Sequence, residues 1–369
     1  MTNSPPTNLT RLPVVDALRG VAIGMVFVFH YFGFRHGWDM YRWDGPWRDG
    51  HVLGWPADPL VFPITWGWAG VSLFFVLSGF VIHLQAASRP TFSAAPFLRR
   101  RLWRIAPAYY AAVAALGLLY WVTPFEWSGQ RQYLTHVLFI HNWFPATFFG
   151  INGPFWSLAS EVQFYLAYPL VVWARGRVGM GRVLAAAAAL SVVSRVVFLL
   201  VADCPYPITP LWTAFPVLWV DWLLGAWVAE RFRLGQLAFP GRAWPAAAAA
   251  AFFLAGLWKP ANCLSFSLAS LTWAVVLDRV IRRDWRPGRV GRAACHLGLI
   301  SYSMYLWHDP LIEVIGHWLD RRRGLFPEAD AVTGAAFFVI TWAAVYVVAA
   351  VSYRWLEDPR WLWRRRPPT

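Results

Sequence analysis

The chain has 369 residues, 58% of them apolar and 14% charged, with a formal net charge of +14. Soluble globular domains carry about 25% charged residues, and here at least eight stretches of roughly 18 residues have few or no charges, each enough to cross a hydrocarbon core of about 30 Å. This argues against a soluble enzyme, a disordered protein and a β-barrel, and predicts an all-α fold: one polytopic integral membrane bundle of about ten transmembrane helices.

Residues 1–10 are polar, contain Pro5 and Pro6, and read as a mobile cytoplasmic tail. The first apolar run continues past Gly20 with no small-residue cleavage site, so no cleavable signal peptide is expected. A membrane domain fills 11–358, and a basic cytoplasmic tail follows at 359–369. Its predicted spans are 12–34, 64–86, 105–123, 154–174, 183–202, 210–230, 243–258, 261–281, 294–316 and 331–352. Segment 133–150 is apolar but interrupted by His136, His141, Asn142 and Pro145, which suits an outer-face or re-entrant element rather than a full span. His136 and His141 have the wrong helical spacing for one ligand face and read as interfacial polar residues. The alanine runs 185–189 and 246–251 favour close helix packing.

The basic residues alternate with the spans. Arginines cluster at 99–104, 175–182, 231–242, 279–292 and 354–366. With the N-terminus inside, the inner segments hold 22 of the 33 basic residues and the outer ones 8, with Arg19, Arg195 and Arg279 inside spans. Cytoplasmic loops carry the excess Lys and Arg, so N-in, C-in in the cytoplasmic (inner) membrane is the predicted orientation. The positive charge is then a topology signal and a partner for membrane lipid. No soluble basic module is present to bind nucleic acid. Cys204 and Cys263 fall on outer loops, and spacing alone does not fix whether they pair. No Cys/His spacing suggests a metal.

Ionisable residues inside spans are costly and usually face a cavity or a partner. They are Asp16, Arg19, His30, Glu161, Arg195, Asp221, His308, Asp309 and Glu313. In the predicted topology His30, Glu161 and His308 come from separate helices to a similar depth in the outer half. A neutral imidazole can take a proton from a hydroxyl, and a carboxylate can orient it. Each also has a plainer reading as a packing hydrogen bond, and Arg195 with Asp221, or Asp16 with Arg19, reads as a pair. Ser157 lies four residues before Glu161 on one helix face, and Ser301, Tyr305 and His308 share another. On the inner side Arg99, Arg100, Arg101 and Arg104 open the third predicted span. Guanidinium groups bind phosphates bidentately, and a helix N-terminus adds its dipole. The same arginines also suit lipid headgroups. An outer His/carboxylate cavity above an inner arginine cluster fits a phosphate-bearing donor entering from the cytoplasm, and fits an anion transporter almost as well.

Several blocks occur in a recognisable order. They are Asp16-Ala-Leu-Arg19-Gly20 with His30 eleven residues after Arg19, then Gly70-Val-Ser72-Leu-Phe-Phe-Val-Leu-Ser78-Gly79-Phe. Arg100-Arg101-Leu-Trp-Arg104-Ile-Ala-Pro107 and Asn152-Gly153-Pro154-Phe-Trp156-Ser157-Leu-Ala-Ser-Glu161-Val-Gln163-Phe-Tyr165 follow. Ile300-Ser301-Tyr302-Ser303-Met304-Tyr305-Leu-Trp307-His308-Asp-Pro310 and Tyr353-Arg354-Trp-Leu-Glu357-Asp-Pro359 complete the set. Together they resemble the acyltransferase 3 family of membrane O-acyltransferases over nearly the whole chain. The resemblance implies transfer of an acyl group, most often acetyl from acetyl-CoA, to a hydroxyl of a sugar or glycosylated small molecule. It implies His30 as catalytic base, Glu161 as an essential acid, and Arg101 and Arg104 as contacts for acyl-CoA. Arg19, Trp156, Ser157, Tyr305 and His308 would line the site. Two positions depart from the pattern: Val162 stands where many members have a second Glu, and Ser72 where Asp is common.

The expected activity is therefore an acyl-CoA-dependent O-acyltransferase without a metal. The alternative, a transporter or exporter of an acylated or glycosylated product, predicts paired halves with matching broken helices, and none is visible. An assembly scaffold would tolerate loss of the intramembrane His and Glu. The acceptor, the acyl chain length, a covalent acyl-His intermediate and the oligomeric state stay open at the level of sequence.

Overall fold

A computed structural model describes residues 12–36, 62–122, 130–201, 209–257, 259–323 and 331–358. The predicted tail 1–10, the C-terminal tail 359–369 and Cys204, with its pairing to Cys263, lie outside the described residues. Among those described, regular structure is entirely helical. The helices are α1 (Pro13–His36), α2 (Ala69–Ala87), α3 (Ala94–Val122), α4 (Gln130–Val137), α5 (Trp156–Val178) and α6 (Met180–Val201). Then come α7 (Phe215–Arg233), α8 (Trp244–Leu257), α9 (Ser265–Val280), α10 (Arg289–Leu299), α11 (Ser301–Arg323) and α12 (Ala331–Ser352). A π-helical turn, Tyr353–Glu357, follows α12 directly.

Among the described residues, five helices are long and apolar enough to cross a bilayer: α1, α2, α3, α6 and α12 with its π turn. The molecule is a helical membrane protein. The remaining helices carry ionisable residues or are short; α8, with 14 residues, extends only about 21 Å. Predicted span 331–352 coincides with α12, while 294–316 is broken at Ile300 into α10 and α11. α3 begins at Ala94 rather than 105, because Ala94 to Leu102 continue a helical pattern that the arginines do not interrupt.

Helix α2 is the centre of the bundle and is buried along most of its length. It packs backbone to backbone on α7. A methyl group on Gly79 would strike the Trp222 carbonyl, and one on Gly225 would strike that of Val76. Small residues permit this approach where lipid gives no hydrophobic drive between helices. The outer faces of α6 and α12 instead expose Val192, Val193, Val196, Val339, Ile340 and Val347, as surfaces meeting lipid do.

The segment after α3 is not a span: α4 has eight residues. The histidines within it correct the reading drawn from their spacing. Phe139, at φ 55°, reverses the chain after α4 and folds His141 over His136, with ring centroids 3.8 Å apart and planes 4° apart. Both are buried, and burial pushes them down, His136 to about 4 and His141 to about 3. The expected Arg195–Asp221 pair exists through a bridge: Arg195 donates to Ser267 Oγ at 2.7 Å, and Ser267 donates to Asp221 Oδ2 at 3.0 Å.

Candidate active site

Two imidazoles meet where α1 crosses α11. His30 and His308 have ring centroids 4.7 Å apart and planes at 84°. His30 Nδ1 lies 2.9 Å from the Val26 carbonyl, and His308 Nδ1 lies 2.8 Å from that of Tyr305. A carbonyl only accepts, so in the neutral rings each Nδ1 carries the proton and each Nε2 keeps its lone pair. Both imidazoles are thus oriented by their own helices. His308 is fully buried, and its Nε2 has no partner among the described residues.

A cavity of about 100 Å³ opens below them, between α1, α2, α3, α5 and α11 and the π turn. Its wall carries Arg19, Arg101 and Arg104 against Glu161 and Glu357, with Ser78, Ser157, Tyr165, Tyr302 and Tyr305. Ser78 Oγ donates to Glu161 Oε1 at 2.7 Å, and Tyr165 OH donates to the same oxygen at 2.5 Å. Trp222 Nε1 donates to Ser78 Oγ at 3.2 Å, fixing that hydroxyl. Glu357 receives a hydrogen bond from Ser303 Oγ and lies within electrostatic reach of Arg104. Arg101 donates to Gln85 Oε1 at 2.7 Å. The cavity and the imidazoles are joined by Tyr305: its hydroxyl lies 2.6 Å from Ser157 Oγ, and its ring centroid lies 5.4 Å from that of His308.

A family profile described as an acyltransferase domain matches residues 12–354. The chain belongs to the acyltransferase 3 family. A Komagataeibacter xylinus protein, provisionally named membrane-bound transacylase BcsY, is 28% identical to this acyltransferase over 96% of the chain and 84% of that protein. Acyltransferase MdmB of Streptomyces mycarofaciens is 25% identical over 98% of the chain and 95% of its own length. Nodulation protein 10 of Rhizobium leguminosarum bv. viciae is 26% identical over 73% of the chain and 81% of that protein. No solved structure matches.

Within the acyltransferase the expected residues divide into two groups. Arg19, Arg101, Arg104, Glu161, Ser157 and Tyr305 share the cavity wall, while His30 and His308 form their own pair. Glu161 and His30 are not joined to each other; the glutamate is engaged by Ser78 and Tyr165. Trp156, expected on the lining, instead packs into the aromatic core against Phe75, Phe148 and Phe266. The reason is register: Trp156 and Ser157 are adjacent, so about 100° separates them around α5. The expected helix-dipole contribution at Arg101 and Arg104 is also lost. α3 begins at Ala94, and the dipole effect fades beyond the first turn.

Ser78, Tyr165, Tyr302 and Glu357 join the wall without having been singled out. One signal was available for Tyr165: it lies four residues after Glu161, on the same helix face. Among the described residues, no group of three or more metal-ligating side chains occurs.

Proposed function

We propose that the protein transfers an acyl group, acetyl foremost, from acyl-CoA to a hydroxyl of a carbohydrate or glycosylated small molecule. One observation carries this reading: an arginine-lined cavity adjoins a pair of imidazoles whose Nδ1 atoms each meet a backbone carbonyl of their own helix. The cavity's volume of about 100 Å³ is well below the roughly 300–1,000 Å³ of ligand-sized pockets. It suits a slender thioester arm, with the phosphates of CoA at the arginines. Ten crossings follow if α10 and α11 count as one broken span and α4 as none. N-in, C-in then puts the arginine side toward the cytoplasm, where acyl-CoA is found.

In this reading His30 Nε2 accepts the proton of the acceptor hydroxyl as that oxygen attacks the thioester carbonyl. The C–O bond forms, the tetrahedral intermediate collapses, and the C–S bond breaks. The CoA thiolate leaves and takes its proton from the imidazolium. Tyr305 and Ser157 supply hydroxyls between the two ends. Glu161, held by Ser78 and Tyr165, balances the arginines. The reaction is a direct transfer that consumes one acyl-CoA and needs no further reactant.

The test is release of CoA and acylation of the acceptor by purified protein in nanodiscs. General base catalysis contributes about 10²–10⁴ in rate, so His30→Ala should lower kcat by that range while the protein inserts and purifies normally. Glu161→Gln should also abolish useful turnover. Undiminished transfer by His30→Ala would defeat the assignment. Solute flux without acyl-CoA would favour a transporter.

A further inference from the structure

The face of α11 that carries Tyr305 and His308 continues to Asp309 and Glu313, four residues apart and within electrostatic reach of each other. These carboxylates extend the site along α11 away from the arginine cavity; Tyr305 to Glu313 spans about 12 Å of rise. Asp309 is 9% exposed. Among the described residues neither carboxylate receives a hydrogen bond. Beside them stands Gly153, where a Cβ would sit 3.4 Å from Asp309 Oδ2. The preceding residue, Asn152, is buried and uses its Nδ2 on the Leu306 carbonyl at 3.0 Å, which leaves its Oδ1 without a partner. His308 Nε2 is equally bare. The unpartnered Trp307 Nε1 belongs to the opposite side of α11, two residues and about 200° from Asp309.

The two ends of the site thus differ in hydrogen-bonding character. One end sets guanidinium, tyrosine and serine donors against Glu161 and Glu357. The other offers Asn152 Oδ1, His308 Nε2 and two carboxylates, all of them acceptors. Buried acceptors are normally satisfied by a donor. A molecule bearing several hydroxyls brings such donors at one stroke, and the two imidazoles lie between the two ends. We infer that Asp309 and Glu313, with Asn152, seat the polyhydroxylated acceptor of the proposed reaction. Two of its hydroxyls donate to the carboxylates while a third meets His30. The inference rests on the reading of His30 as base, and it names the specificity determinants of that same site.

The experiment uses the full chain in nanodiscs, with hexyl β-D-glucoside as probe acceptor and acetyl-CoA as donor. Asp309→Asn and Glu313→Gln keep size and remove charge. Each should raise the glucoside KM about tenfold and leave the acetyl-CoA KM within about twofold. An unchanged glucoside KM, or an equal rise for acetyl-CoA, overturns the assignment. A second measurement needs no turnover: dicyclohexylcarbodiimide labelling of Asp309 and Glu313 in the wild type, read by mass spectrometry. Hexyl glucoside should slow labelling about fivefold or more, and CoA should not. No protection by the glucoside, or protection by hexylamine alone, overturns it, the latter marking a cation site. If His30→Ala kept full activity while the glucoside still protected, the base would be misassigned and the seat would stand. The converse would sink the seat alone.

Discussion

A guanidinium drawn into a helix bundle is costly unless an anion meets it; here Arg19 and Arg101 are half-buried and Arg104 is exposed. Arg19, Arg101 and Arg104 share one wall with Glu161 and Glu357, and Arg19 also lies within electrostatic reach of Asp16. The three guanidinium groups on one wall suit a phosphate-bearing donor. Hydrogen bonds to a charged group contribute about 1.5–3 kcal/mol each. Arg101→Ala with Arg104→Ala should therefore raise the acetyl-CoA KM by roughly a hundredfold or more, and change the acceptor KM little. Steady-state kinetics in acetyl-CoA at saturating acceptor measures it. An unchanged donor KM would reduce these residues to topology signals. The same scale explains what the sequence disclosed. His30 and His308 stood out because an imidazole in an apolar run is conspicuous, and they do meet. Ser78 and Tyr302 are ordinary polar residues that matter only because α2 and α11 face one cavity. Glu357 was hidden because its direction is set by a π turn, which no helical periodicity encodes.

At the level of elements, α11 shows how two sequence blocks depend on each other. Pro310 lies inside α11 and has no N–H, so the Leu306 carbonyl loses its partner four residues on. Asn152, from the turn before α5, donates to that carbonyl at 3.0 Å. The break is thereby repaired at membrane depth, where unsatisfied backbone is expensive. Asn152→Ala should cost about 1–3 kcal/mol, read as a lower unfolding temperature in detergent. Pro310→Ala returns the N–H, so the same Asn152→Ala change in that background should cost about 1 kcal/mol less. Full additivity would show the two residues to be independent. Helix existence was readable from apolar length, as α12 over 331–352 illustrates. Helix ends were not. The start of α3 at Ala94 precedes its apolar run, because arginines are good helix formers and hydropathy does not see them. The break at Ile300 likewise lies inside one predicted span, and only the packing of α10 and α11 on α1 reveals two helices.

For the whole molecule, the site draws on helices that pass a simple apolar-length test, with Arg19 and His30 on α1 and Arg101 and Arg104 on α3, and on helices that fail it. α5 holds Ser157 and Glu161, α7 holds Asp221, and α11 holds His308, Asp309 and Glu313. Buried centrally, they need not be lipid-compatible all round, while α6 and α12 keep apolar faces outward. In the proposed ten-span arrangement hydropathy undercounts crossings, and charge is the better guide to topology. The proposed arrangement makes a direct prediction for three exposed positions. Ser88 between α2 and α3, and Gln236 between α7 and α8, should face the cytoplasm, and Ala146, between α4 and α5, the opposite side. With the native cysteines replaced by serine, single-cysteine variants at these sites would be treated in intact cells with a membrane-impermeant maleimide. Ala146→Cys should label at once, whereas Ser88→Cys and Gln236→Cys should label only after lysis. The reverse pattern would turn the molecule over and put the arginine wall on the face away from the acyl-CoA pool. Equal labelling of Ser88→Cys and Ala146→Cys in intact cells would mean that α3 does not cross, and the ten-span arrangement would fall with it.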